Sequence, residues 1–189
     1  NRKISSVSMR IFSAAFLIFF ASYAQAMAEI VASGEWDNGS AGSGTWSLSD
    51  TGELTISGTG KMKNYGVGSD VINGVTNYRP SASLPWHDYQ QDITSVKIEK
   101  GITSLGSGSF YAAHWLVSVS LPDTLTSIGY CAFDCAISLT SITIPEGVTS
   151  IGYQAFGNAY SLTSITIPDS VTSIGKGAFR NSGVTAIYC

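Results

Sequence analysis

From residue 93 onward, apolar and polar positions recur with a period of 23 residues. The blocks begin at Ile93, Leu116, Leu139 and Leu162; the fourth is one residue shorter, and a partial block closes the chain from Val184. In each block the first, fourth and sixth positions are apolar, as in Leu139, Ile142 and Ile144, while Thr, Ser or Lys fill the positions between except at Val117. That spacing predicts a short strand with one buried and one solvated face. Pro122, Pro145 and Pro168 follow directly, and proline, which donates no ladder hydrogen bond, ends each strand there. A second apolar pair then recurs in V-T-S-I-G, with Gly106, Gly129, Gly152 and Gly175 held in one column. A glycine kept in register requires either positive φ or a backbone with no room for Cβ. Phe110, Phe133, Phe156 and Phe179 form the last column, among small and polar residues that predict a short helical turn. One such block cannot bury its own apolar side chains, so successive blocks must stack as a solenoid with the phenylalanines in an interior file.

The chain before residue 93 lacks this period. Thr45–Ser49 and Glu53–Gly58 alternate around Asp50-Thr51-Gly52, which predicts a β-hairpin. Residues 65–84 are rich in Gly, Ser and Asn and read as a loop, and 83–91 as a short helical turn leading into the first block. Residues 27–92 are thus expected to cap the solenoid, with Trp36, Trp46 and Trp86 as packing residues over its first coil. At the N-terminus, basic Arg2, Lys3 and Arg10 precede the apolar block 11–22, and Ala24-Gln25-Ala26 offers small residues before a cleavage point. This reads as a signal peptide over residues 1–26, since a membrane span needs about 20 apolar residues. The remainder is expected to be exported, with no membrane span once the signal is removed.

Charge removes one class of partner. Three of the ten Lys+Arg lie in the leader, so residues 27–189 carry seven basic against thirteen acidic side chains, a balance of −6. A nucleic-acid surface would need the opposite sign, and no nucleic-acid partner is expected. Chemistry-bearing motifs are equally thin. His87 and His114 are the only histidines and lie in different regions with no nucleophile motif beside either. Gly58-Thr59-Gly60-Lys61 lacks the phosphate-loop spacing. Cys131 and Cys135 flank Phe133 at a spacing of four without a zinc-type partner set; Cys135 reads as a packing residue, and export would also permit a bond between the two. Asp123, Glu146 and Asp169 share a column and predict a negative row, but one carboxylate per coil supplies no cage for a hard cation. No catalytic residue, metal site or cofactor is assigned.

The pattern L-T-S-I-T-I-P-x-x-V-T-S-I-G-x-x-A-F, with Cys135, Asn158 and Asn181 two residues after Phe, resembles the BspA-type leucine-rich repeats of bacterial surface proteins. The resemblance covers 93–189, and the run from Gly44 to Tyr65 with Leu84–Gly106 resembles the segment that often precedes such repeats. It implies a leucine-rich-repeat solenoid, a right-handed β/α-type coil of short parallel strands and short helical turns, preceded by a small β-hairpin cap. It also implies a secreted or cell-surface recognition and adhesion module without catalysis, whose partner is a protein or glycan at a cell or host surface. The alternative is a structural spacer, or a piece of a longer repeat protein whose binding site lies elsewhere. The chain stops within a strand motif at Cys189, so either further coils follow or the last coil is an open edge prone to edge-to-edge self-association. Binding hot spots favour Tyr, Trp and Arg, and the candidates are Trp115, Tyr130, Tyr153 and Tyr160 with Arg180, expected as a ridge on the helical-turn side.

Overall fold

In the computed structural model, residues 28–72 and 75–188 are described. Residues 1–26, read from the sequence as a signal peptide, and Cys189 lie outside the described residues. The described chain opens with a meander of three antiparallel strands, β1 (Ile30–Asp37), β2 (Gly42–Ser49) and β3 (Glu53–Lys61). Alternation puts Trp36, Trp46, Leu48, Leu54 and Ile56 into the core. The expected hairpin is present as β2–β3, turning at Gly52 with φ 84°.

The stretch read as a loop contains a second hairpin. Strands β4 (Val67–Ile72) and β5 (Val75–Pro80) pair antiparallel as a separate two-stranded sheet. The sequence between them is Asn73-Gly74, a strong short-range hairpin signal that the Gly, Ser and Asn content of the surroundings obscured.

Each repeat supplies two short strands on two sides of the coil. The first side holds β6 (Ser95–Ile98), β8 (Ser118–Ser120), β10 (Ser141–Ile142), β12 (Ser164–Thr166) and β14 (Ala186–Tyr188). The second holds β7 (Ile102–Leu105), β9 (Ser127–Ile128), β11 (Ser150–Ile151) and β13 (Ser173–Ile174). All pair parallel at the repeat period, for example Ser104↔Ser127, Ser127↔Ser150 and Ser150↔Ser173. In the shorter last block the pairing step falls to 22, with Ser164 opposite Ala186. Strand β3 joins the two sides. Its first half pairs with β6 and its end with β7, so the meander contributes the rung before the first repeat to both ladders.

The third side differs from the expected helical turn. Around each phenylalanine the chain makes overlapping tight turns, as in Ala132 N–H to Gly129 O (3.3 Å), Asp134 N–H to Cys131 O (3.3 Å) and Ala136 N–H to Phe133 O (3.1 Å). Positive φ two residues before and two after Phe133 (Cys131 48°, Cys135 62°) and Phe156 (Gln154 49°, Asn158 53°) breaks helical propagation. The freed amides bond to the next coil instead, Phe110 N–H to Ala132 O and Phe133 N–H to Ala155 O, each at 2.8 Å.

Inside this side Phe110, Phe133, Phe156 and Phe179 stack with centroid separations of 5.3, 5.4 and 5.5 Å. Trp86 extends the file beyond the repeats, stacking on Phe110 at 5.8 Å with its indole N–H donating to Ser109 O at 3.2 Å. The first three phenylalanines are buried and Phe179, on the outermost coil, is half-buried. Gly106, Gly129, Gly152 and Gly175 resolve in favour of close approach. None has positive φ, and a Cβ on Gly152 would lie 2.6 Å from the Gly129 carbonyl carbon and the Tyr130 nitrogen. On the wet face, Thr126, Thr149 and Thr172 each donate a hydroxyl to the carbonyl of the threonine one coil earlier, at 2.8, 3.2 and 3.3 Å.

Candidate functional site

Because coils stack in register, residues 23 apart in sequence become neighbours along the rod. Tyr130 and Tyr153 share a column directly after the packed glycines, and their rings stack at 5.2 Å, 9° from parallel. Both remain partly in solvent, at 41% and 38% exposure. Another column runs Tyr111, Asp134, Gly157, Arg180. Gly157 places no side chain between an acid and a guanidinium, and a Cβ there would meet Asp134 Oδ1 at 2.8 Å. A third column runs Ala112, Cys135, Asn158, Asn181.

These columns enclose a depression of about 340 Å³, lined by both tyrosines, Cys131, Asp134, Cys135, Gln154, Asn158, Arg180 and Asn181, with Tyr111 at one end. Its polar floor is ordered by hydrogen bonds between coils. Asn158 Nδ2 donates to Asp134 Oδ1 at 2.8 Å, and Asn181 Nδ2 to Asn158 Oδ1 at 3.1 Å. Asp134 is buried. Its charge, after desolvation, is a cause of the raised thiol values beside it: Cys131 is pushed up to about 12 and Cys135 to about 11. Burial likewise raises the Tyr111 phenol, which packs with Cys131 and Cys135 in a cluster apart from the main core. Both cysteines are free thiols. This arrangement offers aromatic edges, amide and carboxylate hydrogen-bonding groups and one exposed cation around a concave surface. That set suits reversible recognition of a polar ligand.

The five candidates do not form one ridge. Tyr130, Tyr153 and Arg180 meet at the depression, whereas Trp115 and Tyr160 do not line it. Those two rings lie past the phenylalanines, at 58% and 60% exposure, and the Trp115 indole donates to Gln91 Oε1 at 3.0 Å. Asp134 and Gln154 carry no signal in the repeat pattern, and Asn158 and Asn181 enter it only as the motif position two residues after Phe. Setting the columns around the phenylalanines side by side would have found them, because the floor is made by register and by the gap at Gly157.

On the other sides, the acid column begins with Lys100, whose ammonium pairs with Asp123 at 2.9 Å on the surface. Among the described residues no group of three or more His, Cys, Asp or Glu side chains is placed to hold a metal ion. Nor is any helix among them long and apolar enough to cross a membrane.

The model of the BspA-type leucine-rich repeat region matches residues 88–189, more than half of the chain. No curated protein matches the sequence. Among solved structures, a leucine-rich repeat protein from Eubacterium ventriosum is similar at 30% identity over 82% of this chain, with a TM-score of 0.58. This chain spans 44% of that protein's length. The T. pallidum leucine-rich repeat protein aligns at 23% identity over 75% of this chain and 66% of its own, with a TM-score of 0.52. One from Bacteroides ovatus gives the same identity, coverage of this chain and TM-score, over 38% of its own length. These last two support the fold. Two parallel ladders closed by a phenylalanine file, together with the repeat match, establish that the chain belongs to the BspA-type leucine-rich repeat family.

Proposed function

We propose that this chain is an exported, non-catalytic recognition and adhesion module that works at a cell surface and binds a protein or glycan. The stacked, half-exposed pair Tyr130–Tyr153 at the mouth of a polar depression carries this reading. Aromatic rings supply contact area at low entropic cost, while Asn181 and Arg180 offer donors at the rim. The test is an array of glycans and matrix proteins probed with residues 27–189. The paired variant Tyr130→Ala/Tyr153→Ala is expected to lose at least tenfold in affinity, while Thr143→Ala/Thr166→Ala on the strand face binds as the parent does. Unchanged binding by the tyrosine variant removes the depression as the site.

A second reading, a structural spacer within a longer repeat protein, draws on one observation: the chain spans less than half of the E. ventriosum relative. It is favoured if neither the parent chain nor either variant binds any member of the array.

A further inference from the structure

Two thiols, Cys131 and Cys135, stand among the residues lining the depression. Cys131 and Cys135 stand two residues before and two after Phe133, positions filled by Gly108 and Ala112, Gln154 and Asn158, and Gly177 and Asn181 in the other coils. A thiol pair is thus a property of one coil and not of the repeat. Local geometry brings the two together. The backbone is left-handed at both residues, and the turn closed by Asp134 N–H on Cys131 O bends the chain between them. Both side chains then pack beside Tyr111 on the outer side of that turn, away from the phenylalanine file. Both also stand by one carboxylate: Cys135 Sγ donates to Asp134 Oδ1 at 3.7 Å, and the Asp134 charge, after burial, helps raise the Cys131 thiol. Cys131 is buried and Cys135 half-buried, so one sulfur is reachable and the other waits behind it.

We propose that Cys131 and Cys135 form a redox-active dithiol that closes to an intrachain disulfide, with a small-molecule disulfide such as oxidised glutathione as the oxidant. Cys135 attacks first as its thiolate, forming a mixed disulfide and releasing one glutathione thiol. Cys131 then gives up its proton and attacks Cys135 Sγ, releasing the second. Two protein S–H bonds are lost and one S–S bond forms; the two protons end on two glutathione thiols, which carry the electron pair. The thiol values, raised in both residues first by burial, leave the order to access, and Cys135 is the half-buried one. They also make the reaction slow at neutral pH, since the thiolate is the nucleophile.

The experiment uses the full chain with Cys189→Ser, so that only the pair can react, incubated with oxidised glutathione. Intact mass is expected to fall by two hydrogen atoms, and peptide mapping to link residue 131 to 135. The rate should rise about tenfold per pH unit from pH 7 to 9, as expected for thiols that ionise well above that range. Cys131→Ser is expected to stop as a single glutathione adduct on Cys135, and Cys135→Ser to react at least tenfold more slowly. The proposal is overturned if the folded chain ends with two separate glutathione adducts, forms only disulfide-linked dimers, or oxidises only in denaturant.

Discussion

A buried ring in a stacked file has neighbours on both faces, so deleting it removes contacts that the adjoining coils cannot replace by collapsing. Phe133 is fully buried between Phe110 and Phe156, and Phe133→Ala is expected to cost about 3–5 kcal/mol, a large part of a marginal stability. Thr143, on the wet face, should change stability by less than about 0.5 kcal/mol when replaced by Ala. Equal urea midpoints for the two variants would contradict the interior file. Tyr65 presents the opposite case. Its ring packs edge-on against Trp86, but its buried hydroxyl has no hydrogen-bond partner, and burial pushes the phenol up to about 12. Tyr65→Phe removes an unsatisfied group, so a gain of about 1 kcal/mol is expected at neutral pH. Above pH 10 the unfolded chain loses the phenol proton while the folded chain keeps it, so stability falls as pH rises from 10 to 12. Urea titrations at pH 7 and 11 should show the advantage of the Phe variant widening at the higher pH; a constant difference would contradict the burial account.

Among the elements, the glycine column sets how closely the second ladder approaches the turns. Gly152→Ala puts a methyl against the backbone of Gly129 and Tyr130, atoms that cannot rotate aside, and is expected to cost about 1–3 kcal/mol or more. Gly39, with open space around the Cβ position, gives a comparison in which only the strain of positive φ is felt, and thermal melts of Gly39→Ala should show the smaller loss. The column was legible in the sequence because stacking repeats its requirement in every coil. So were the parallel strands, the phenylalanine file and the β2–β3 hairpin, all written in periodic apolar positions. What escaped lacks that redundancy. Strand β3 serves both ladders as a single continuous element, although the rungs it precedes are two separate strands in every later coil. Trp86 fills the phenylalanine column with a different residue, 24 positions before Phe110 and after an inserted hairpin. The site was half legible for a similar reason. Tyr130 and Tyr153 are 23 apart and therefore meet, whereas Trp115 and Tyr160 fall in columns one residue apart from each other and share neither. Residue type alone does not separate these two places; the column each ring occupies does.

Across the whole molecule, stability in a stacked array is a sum over neighbouring coils, so the two ends of this chain need not be equal. At the N-terminal end, β3 is hydrogen-bonded to β2, β6 and β7 at once, Leu54 and Ile56 are fully buried, and Trp86 covers the first phenylalanine. At the other end Ile174 and Ile187 are each 50% exposed and Phe179 is covered on one side by Phe156. Opening the last coil uncovers Leu162, Ile165 and Ile167 but breaks contacts with one neighbouring coil only, whereas opening the first breaks both ladders and the meander together. Hydrogen exchange in this chain should accordingly be graded, with amides of β12–β14 exchanging through local opening and those of β3, β6 and β7 only near the global limit. Ile56→Ala should cost about 2–5 kcal/mol and lower protection chiefly in β2, β6 and β7, the strands hydrogen-bonded to β3. Ile174→Ala should cost under about 0.5 kcal/mol and alter exchange only in the last coil. Uniform protection from β6 to β14, or a global loss from Ile174→Ala as large as that from Ile56→Ala, would mean that the array unfolds as one unit and that the meander does not anchor it.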